Sequence, residues 1–115
     1  MRPFTILGDS TCDLNHELRS RLDVDYVGMN FVLDGKEYPA SLDWEAMSAK
    51  TFYDHMRSGK RITTTQVPAE TFISRFTEYL EKGMDVLYIS CSSALSGSVN
   101  TARVVAKELL EKYPD

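Results

Sequence analysis

The sequence predicts an α/β domain: a mostly parallel sheet with flanking helices and a β-hairpin arm. Three observations lead there. Asp85-Val86-Leu87-Tyr88-Ile89 is a short apolar run after Gly83, followed by small residues and then by Val99, Ala102, Val105, Ala106, Leu109, Leu110 and Tyr113 at helical spacing. That order reads as buried strand, loop and helix. The same succession of β-leaning segment, polar turn and apolar stripe recurs from Phe4 onward. Finally, Asp34-Gly35 lies between two extended stretches, and both positions of a tight hairpin turn require positive φ.

In chain order, Phe4-Thr5-Ile6-Leu7 is the first strand, running into the polar turn Gly8-Asp9-Ser10-Thr11-Cys12-Asp13. Residues 14–22 read as a short helix capped by Asp13 or Asn15, with Leu14, Leu18 and Leu22 on one face. Residues 26–33 form one extended stretch, joined through Asp34-Gly35 to Lys36-Glu37-Tyr38 and closed by Pro39. A loop carrying Trp44 follows. Ser48 then caps a helix over Ala49–Arg57, with Phe52 and Met56 inward, His55 on the polar side and Gly59 as the stop. Thr63-Thr64-Thr65 is β-branched and extended, and Pro68 suits the first turn of the next helix. That helix carries Phe72, Ile73, Phe76, Tyr79 and Leu80 as a core stripe.

At 115 residues the chain is expected to be a single α/β domain over 1–115, thin for a complete α/β enzyme and therefore a piece of something longer. A net charge of −4 argues against nucleic acid as a partner. Lys60-Arg61 and the scattered Arg19 and Arg21 make no basic stripe. No apolar run reaches membrane length, and Met1-Arg2-Pro3-Phe4 leads directly into a strand without a signal peptide, so the expected location is cytoplasmic. Cys12 and Cys91 read as small buried thiols on one sheet edge. With two histidines and no C-x-x-C pair, no metal site is expected.

The run Ser90-Cys91-Ser92-Ser93-Ala94-Leu95-Ser96-Gly97-Ser98 crowds hydroxyls and free N–H groups at a helix N-terminus without a Lys or Arg. A single carboxylate or neutral polar head suits it better than a triphosphate; a well-capped turn explains it as well. The threonine run lies at another helix N-terminus, and the two loops are expected to converge at the carboxyl ends of the strands. Signals for catalysis are thin. Ala94-Leu95-Ser96-Gly97-Ser98 lacks the first glycine of a nucleophile elbow, and no G-x-G-x-x-G follows a strand. Asp9, just past a strand, suits a base, a hydroxyl ligand or an Asx turn. A hydrolase with His16 as base to Cys12 or Ser10 is the weaker alternative.

Taken together, Asp9-Ser10-Thr11-Cys12-Asp13-Leu14, the strand and turn over 31–38, Thr63-Thr64-Thr65-Gln66 and Ser92-Ser93-Ala94-Leu95-Ser96-Gly97-Ser98 resemble, in order and spacing, the motifs of the DegV family of bacterial fatty-acid-binding proteins. The family patterns are D-S-T-A-D-L, T-T-S-Q and S-S-x-L-S-G-T. Cys12 departs from the Ala, Val67-Pro68 from the Pro-Ser that follows Gln66, and the loop 39–48 is rearranged.

The resemblance implies the N-terminal part of a two-domain protein well over twice this length. It also implies a long-chain fatty acid as the bound ligand with no other cofactor, and a carrier with no catalytic residues. The carboxylate would be held by Thr64 and Thr65 on one loop and by Ser93 or Ser96 on the other. Basic head-group partners would come from the second domain, and a separate fatty-acid kinase would receive the ligand. A fold likeness to part of dihydroxyacetone kinase keeps a small-substrate enzyme fragment as the alternative. An exposed apolar face gives the isolated chain a reason to form a homodimer.

Overall fold

Strand β1 (Phe4–Asp9) is the axis of the fold, flanked on both edges by parallel partners. The computed structural model describes residues 3–114; expectations resting on Met1, Arg2 and Asp115 lie outside them. Helix α1 (His16–Leu22) returns the chain to β2 (Val24–Val27), which pairs with β1 from Ile6 opposite Val24 to Asp9 opposite Val27. On the other edge lies β6 (Asp85–Tyr88), from Phe4 opposite Asp85 to Leu7 opposite Tyr88. Because the two neighbours lie on opposite sides of β1, right-handed crossovers place α1 on one face and α3 (Ala69–Glu81) on the other. Helix α4 (Ser98–Lys112) packs beside α3.

The remaining strands make a second sheet. Strands β3 (Asn30–Leu33) and β4 (Lys36–Pro39) form the hairpin, with Asp34 at φ 52° and Gly35 at φ 77° in the turn. Helix α2 (Ala49–Arg57) follows, and then β5 (Thr63–Thr65) pairs antiparallel with β3, placing Thr64 opposite Phe31. The α/β class, the parallel sheet and the hairpin stand, but the hairpin is not a lone arm: the threonine run widens it into a three-stranded antiparallel sheet. The stretch 26–33 is two strands rather than one. It breaks at Gly28-Met29, where the Met29 N–H donates to Ser10 Oγ at 3.0 Å and its carbonyl accepts from the Ala40 N–H at 2.8 Å. Those bonds carry the chain from one sheet to the other.

Leu7, Val27, Met29, Val67, Phe72, Phe76, Ala102 and Val105 form the core between the parallel sheet and α3/α4. Each fully buried apolar side chain there contributes about 1.5–3 kcal/mol. Several expected orientations differ. Helix α1 begins at His16, where Asn15 Oδ1 accepts from the Leu18 N–H at 2.9 Å; Leu18 and Leu22 are exposed, while Arg19 turns inward. The guanidinium tolerates burial because it donates to the Leu14 carbonyl and to Asp43. In α2, Phe52 is half-buried but Met56 is exposed and His55 half-buried, since this short rim helix rests on Phe52. Ile73 of α3 is exposed. Strand β6 is an edge strand, not a buried one: Val86 and Tyr88 face the core, whereas Leu87 and Ile89 are 51% and 58% exposed on the α1 side. Ala106 and Leu110 of α4 are likewise exposed, and both cysteines are free and half-buried.

Candidate functional site

Side chains of opposed antiparallel residues share a face, so Tyr38, Phe31 and Thr64 form a row across the second sheet. The Phe31 and Tyr38 rings stack at 5.2 Å. Phe52 of α2 meets Phe31 edge-on at 5.1 Å, and Trp44 meets Phe52 at 5.4 Å. Phe31 and Thr64 of this row, with Phe52 and Trp44, form one wall of a cleft of about 290 Å³, closed opposite by Ser10, Asp13 and Leu14 of the first turn and by the rest of the loop 39–47. The lining is mainly apolar and contains no Lys or Arg. Its volume lies at the small end of the range for ligand pockets.

Alternation along β5 sends Thr64 and Thr65 to opposite faces. Thr64 lines the cleft, is exposed, and makes no side-chain hydrogen bond among the described residues. Thr65 is half-buried and its hydroxyl donates to the Asn30 carbonyl at 3.4 Å. In the serine loop, Ser93 is exposed and its hydroxyl is likewise unbonded among the described residues, while Ser96 Oγ accepts from the Ser98 N–H at 3.2 Å and lies 3.1 Å from Ser98 Oγ. No hydrogen bond joins Thr64 or Thr65 to Ser93 or Ser96. The two loops do touch one step further on. The Val67 N–H donates to the buried Ser98 Oγ at 3.0 Å, and a Cβ added at Gly97 would collide with Gln66 Oε1. Gly97 thus leaves room for the end of the Gln66 side chain.

Asp9 is 1% exposed and its oxygens are occupied: Oδ1 accepts from the Thr11 N–H at 2.9 Å and from the Thr11 hydroxyl, and Oδ2 accepts from Tyr88 at 2.9 Å. The Asx-turn reading accounts for the two bonds from Thr11, and the bond from Tyr88 is long-range. His16 is exposed and makes no hydrogen bond to Cys12 or Ser10 among the described residues. No group of three or more potential metal ligands is present among them.

Sequence reasoning missed the aromatic wall and its support. Arg19 Nη2 pairs with Asp43 at 2.6 Å, Nη1 donates to the Leu14 carbonyl at 2.6 Å, and the guanidinium lies 4.9 Å from the Tyr26 ring centroid. The hydrogen bond from Arg19 holds the Asp43 carboxyl below its ordinary range. An isolated arginine in an amphipathic stretch carries no signal for such a role, and Trp44 lies in a loop without periodicity. A larger groove of about 590 Å³ runs between α3, α4 and β6, but none of Thr64, Thr65, Ser93 and Ser96 lines it.

A family model described as "Uncharacterised protein, DegV family" matches residues 3–114. A DegV domain-containing protein of Clostridium perfringens is 40% identical over the whole chain, which spans 39% of that relative. A DegV domain-containing 15.5 kDa protein of Staphylococcus aureus is 31% identical over 84% of the chain and 67% of its own length. Among solved structures, a fatty-acid-binding DegV family protein from Thermus thermophilus superposes with a TM-score of 0.81 at 36% identity, covering 95% of this chain and 38% of that one. A stearic-acid-binding protein from Eubacterium ventriosum gives 0.86 at 28% identity, covering 97% and 38%.

Proposed function

This chain belongs to the DegV family, and on that premise we propose that it binds a long-chain fatty acid as a non-enzymatic carrier. The observation that carries the reading is an unbonded hydroxyl, Thr64, opening into an apolar cleft. The carboxylate is held by Thr64, with the unbonded Ser93 hydroxyl as the second donor; Thr65, on the opposite face of β5, and Ser96, engaged with Ser98, shape the two loops, and the acyl chain follows the aromatic wall. Hydroxyls bind a carboxylate without burying a second charge. With no cation in the lining, affinity is expected to be weak. In the longer protein of which this chain is the N-terminal part, basic groups of a second domain complete the head-group site, and a separate kinase takes the fatty acid. The reading places the protein in the cytoplasm; no described helix is long and apolar enough to cross a membrane. The exposed Leu87 and Ile89 beside a free strand edge support self-association of the isolated chain into a homodimer, which sedimentation velocity would register.

The test is a titration of palmitic acid against the chain and its Thr64→Val and Ser93→Ala variants. Losing a hydrogen bond to a charged group costs about 1.5–3 kcal/mol, or roughly 10- to 150-fold in affinity. Unchanged affinity in both variants would remove the hydroxyl site. The alternative, an enzyme fragment, predicts hydrolysis of a small ester or phosphate that vanishes on replacing His16, Cys12 or Ser10. The reading proposed here expects no turnover.

A further inference from the structure

Trp44 is the only tryptophan in the sequence and the one aromatic residue with positive φ among the described residues, at 56°. A bulky side chain in the left-handed region is uncommon and persists where its surroundings over-determine it. Here they do. The Trp44 N–H closes a turn onto the Ser41 carbonyl at 3.1 Å, the Leu42 N–H donates to the Tyr26 hydroxyl at 3.3 Å, and Asp43 is pinned by Arg19. Arg19 donates to the Leu14 carbonyl at the same time, so one buried guanidinium ties the loop that carries Trp44 to the first turn.

The aromatic contacts give the cleft a direction. From Thr64 the wall passes to Phe31 directly across the strand pair, then 5.1 Å to Phe52 and 5.4 Å to Trp44. A ligand anchored at Thr64 and lying along that wall meets the indole at its far end. Trp44 remains 40% exposed despite its contacts, so part of the ring is uncovered and available to a ligand.

We propose that Trp44 is the residue that determines acyl-chain length in this cleft, and that the Arg19–Asp43 pair is the positioning device that holds it across the chain's path. The inference rests on the reading of the cleft as a fatty-acid site. A chain that reaches the indole can place no further methylenes on the wall, so affinity levels off with length. Where the stop is removed, each added methylene that leaves water is worth about fourfold in affinity.

The experiment titrates lauric, palmitic and stearic acid against the wild-type chain and the variants Trp44→Ala, Asp43→Ala and Asp43→Asn, with far-UV circular dichroism as the check on folding. The expected result is a stearic-over-lauric preference near unity in the wild type that rises at least tenfold in Trp44→Ala and Asp43→Ala. Asp43→Asn keeps an acceptor for Arg19 and should retain the wild-type profile. Emission from the single tryptophan should shift to the blue when lauric acid is bound as well as when stearic acid is, since both chains reach the indole. A Trp44→Ala variant that binds all three acids in the wild-type ratio overturns the inference and leaves the site reading intact. A wild type that binds none of the acids overturns both.

Discussion

The phenolic hydroxyl of Tyr88 donates to Oδ2 of Asp9 at 2.9 Å, joining residues 79 positions apart at the carboxyl ends of two paired strands. Burial and the neighbouring carboxylate push the Tyr88 hydroxyl far above its ordinary value, so it stays a donor at any working pH. Asp9 therefore acts as a knot between the first turn and the end of β6, and its Oδ2 also accepts from the Cys91 N–H of the serine loop at 3.5 Å. Asp9→Ala should lower stability by about 3 kcal/mol and Tyr88→Phe by about 1.5 kcal/mol, read as reduced urea midpoints. The double variant should fall short of the sum, because both changes break one shared bond. Additive losses would mean that the two side chains act independently.

Ser98 is the corresponding knot between the threonine and serine loops. Its buried oxygen accepts the Val67 N–H, which Ser98→Ala would leave without a partner. Stability should fall by about 1–3 kcal/mol. Amide exchange at Val67 should accelerate in step; a protected amide in the variant would point to another acceptor.

Asp25 sets an acid limit. Burial alone would raise its carboxyl, but the Tyr26 N–H at 2.9 Å, the Arg75 charge and the Tyr79 hydroxyl at 3.0 Å outweigh this and hold it below the ordinary value. A carboxyl lowered in the folded state adds stability that is fully present above its unfolded value, near 4, and is lost as pH falls through the folded one. Below about pH 4 the wild type should therefore lose stability more steeply than Asp25→Asn. The side chain is half exposed, so solvent screening keeps the difference under about 1 kcal/mol. Parallel acid limbs in stability-against-pH curves would contradict this.

Gly35 tests the hairpin. Its φ of 77° disfavours a side chain, while nothing lies within 4 Å of an added Cβ, so the cost of Gly35→Ala is purely conformational. It should come to about 1 kcal/mol, seen as a lower thermal midpoint. A clearly larger loss would require a contact that the open turn does not contain.

The hairpin was legible because Asp34-Gly35 states its own geometry locally, and Ser48 announces α2 in the same way. The break at Gly28-Met29 was not, since 26–33 is uniformly β-leaning and the cause is a distant hydroxyl, Ser10. The pairing of Thr64 with Phe31 depends on residues more than thirty positions apart, which periodicity does not report. Without that pairing, Thr64 could be placed only on a loop and not at the start of an aromatic wall. Arg19 was hidden for a related reason: its burial is set by Asp43 and Leu14, not by its neighbours on the helix.

The central position of β1 also governs how the chain acquires its structure. One edge of β1 is satisfied by β2, which is nearby in sequence, but the other awaits residues 85–88. Such long-range parallel pairing is intrinsically slow, because a long loop must close before any contact rewards it. During synthesis at about 5–20 residues per second, the interval between emergence of the two strands is roughly 4 to 16 s. Throughout that time the central strand of the parallel sheet presents a free row of donors and acceptors, a template on which a neighbouring nascent chain can pair.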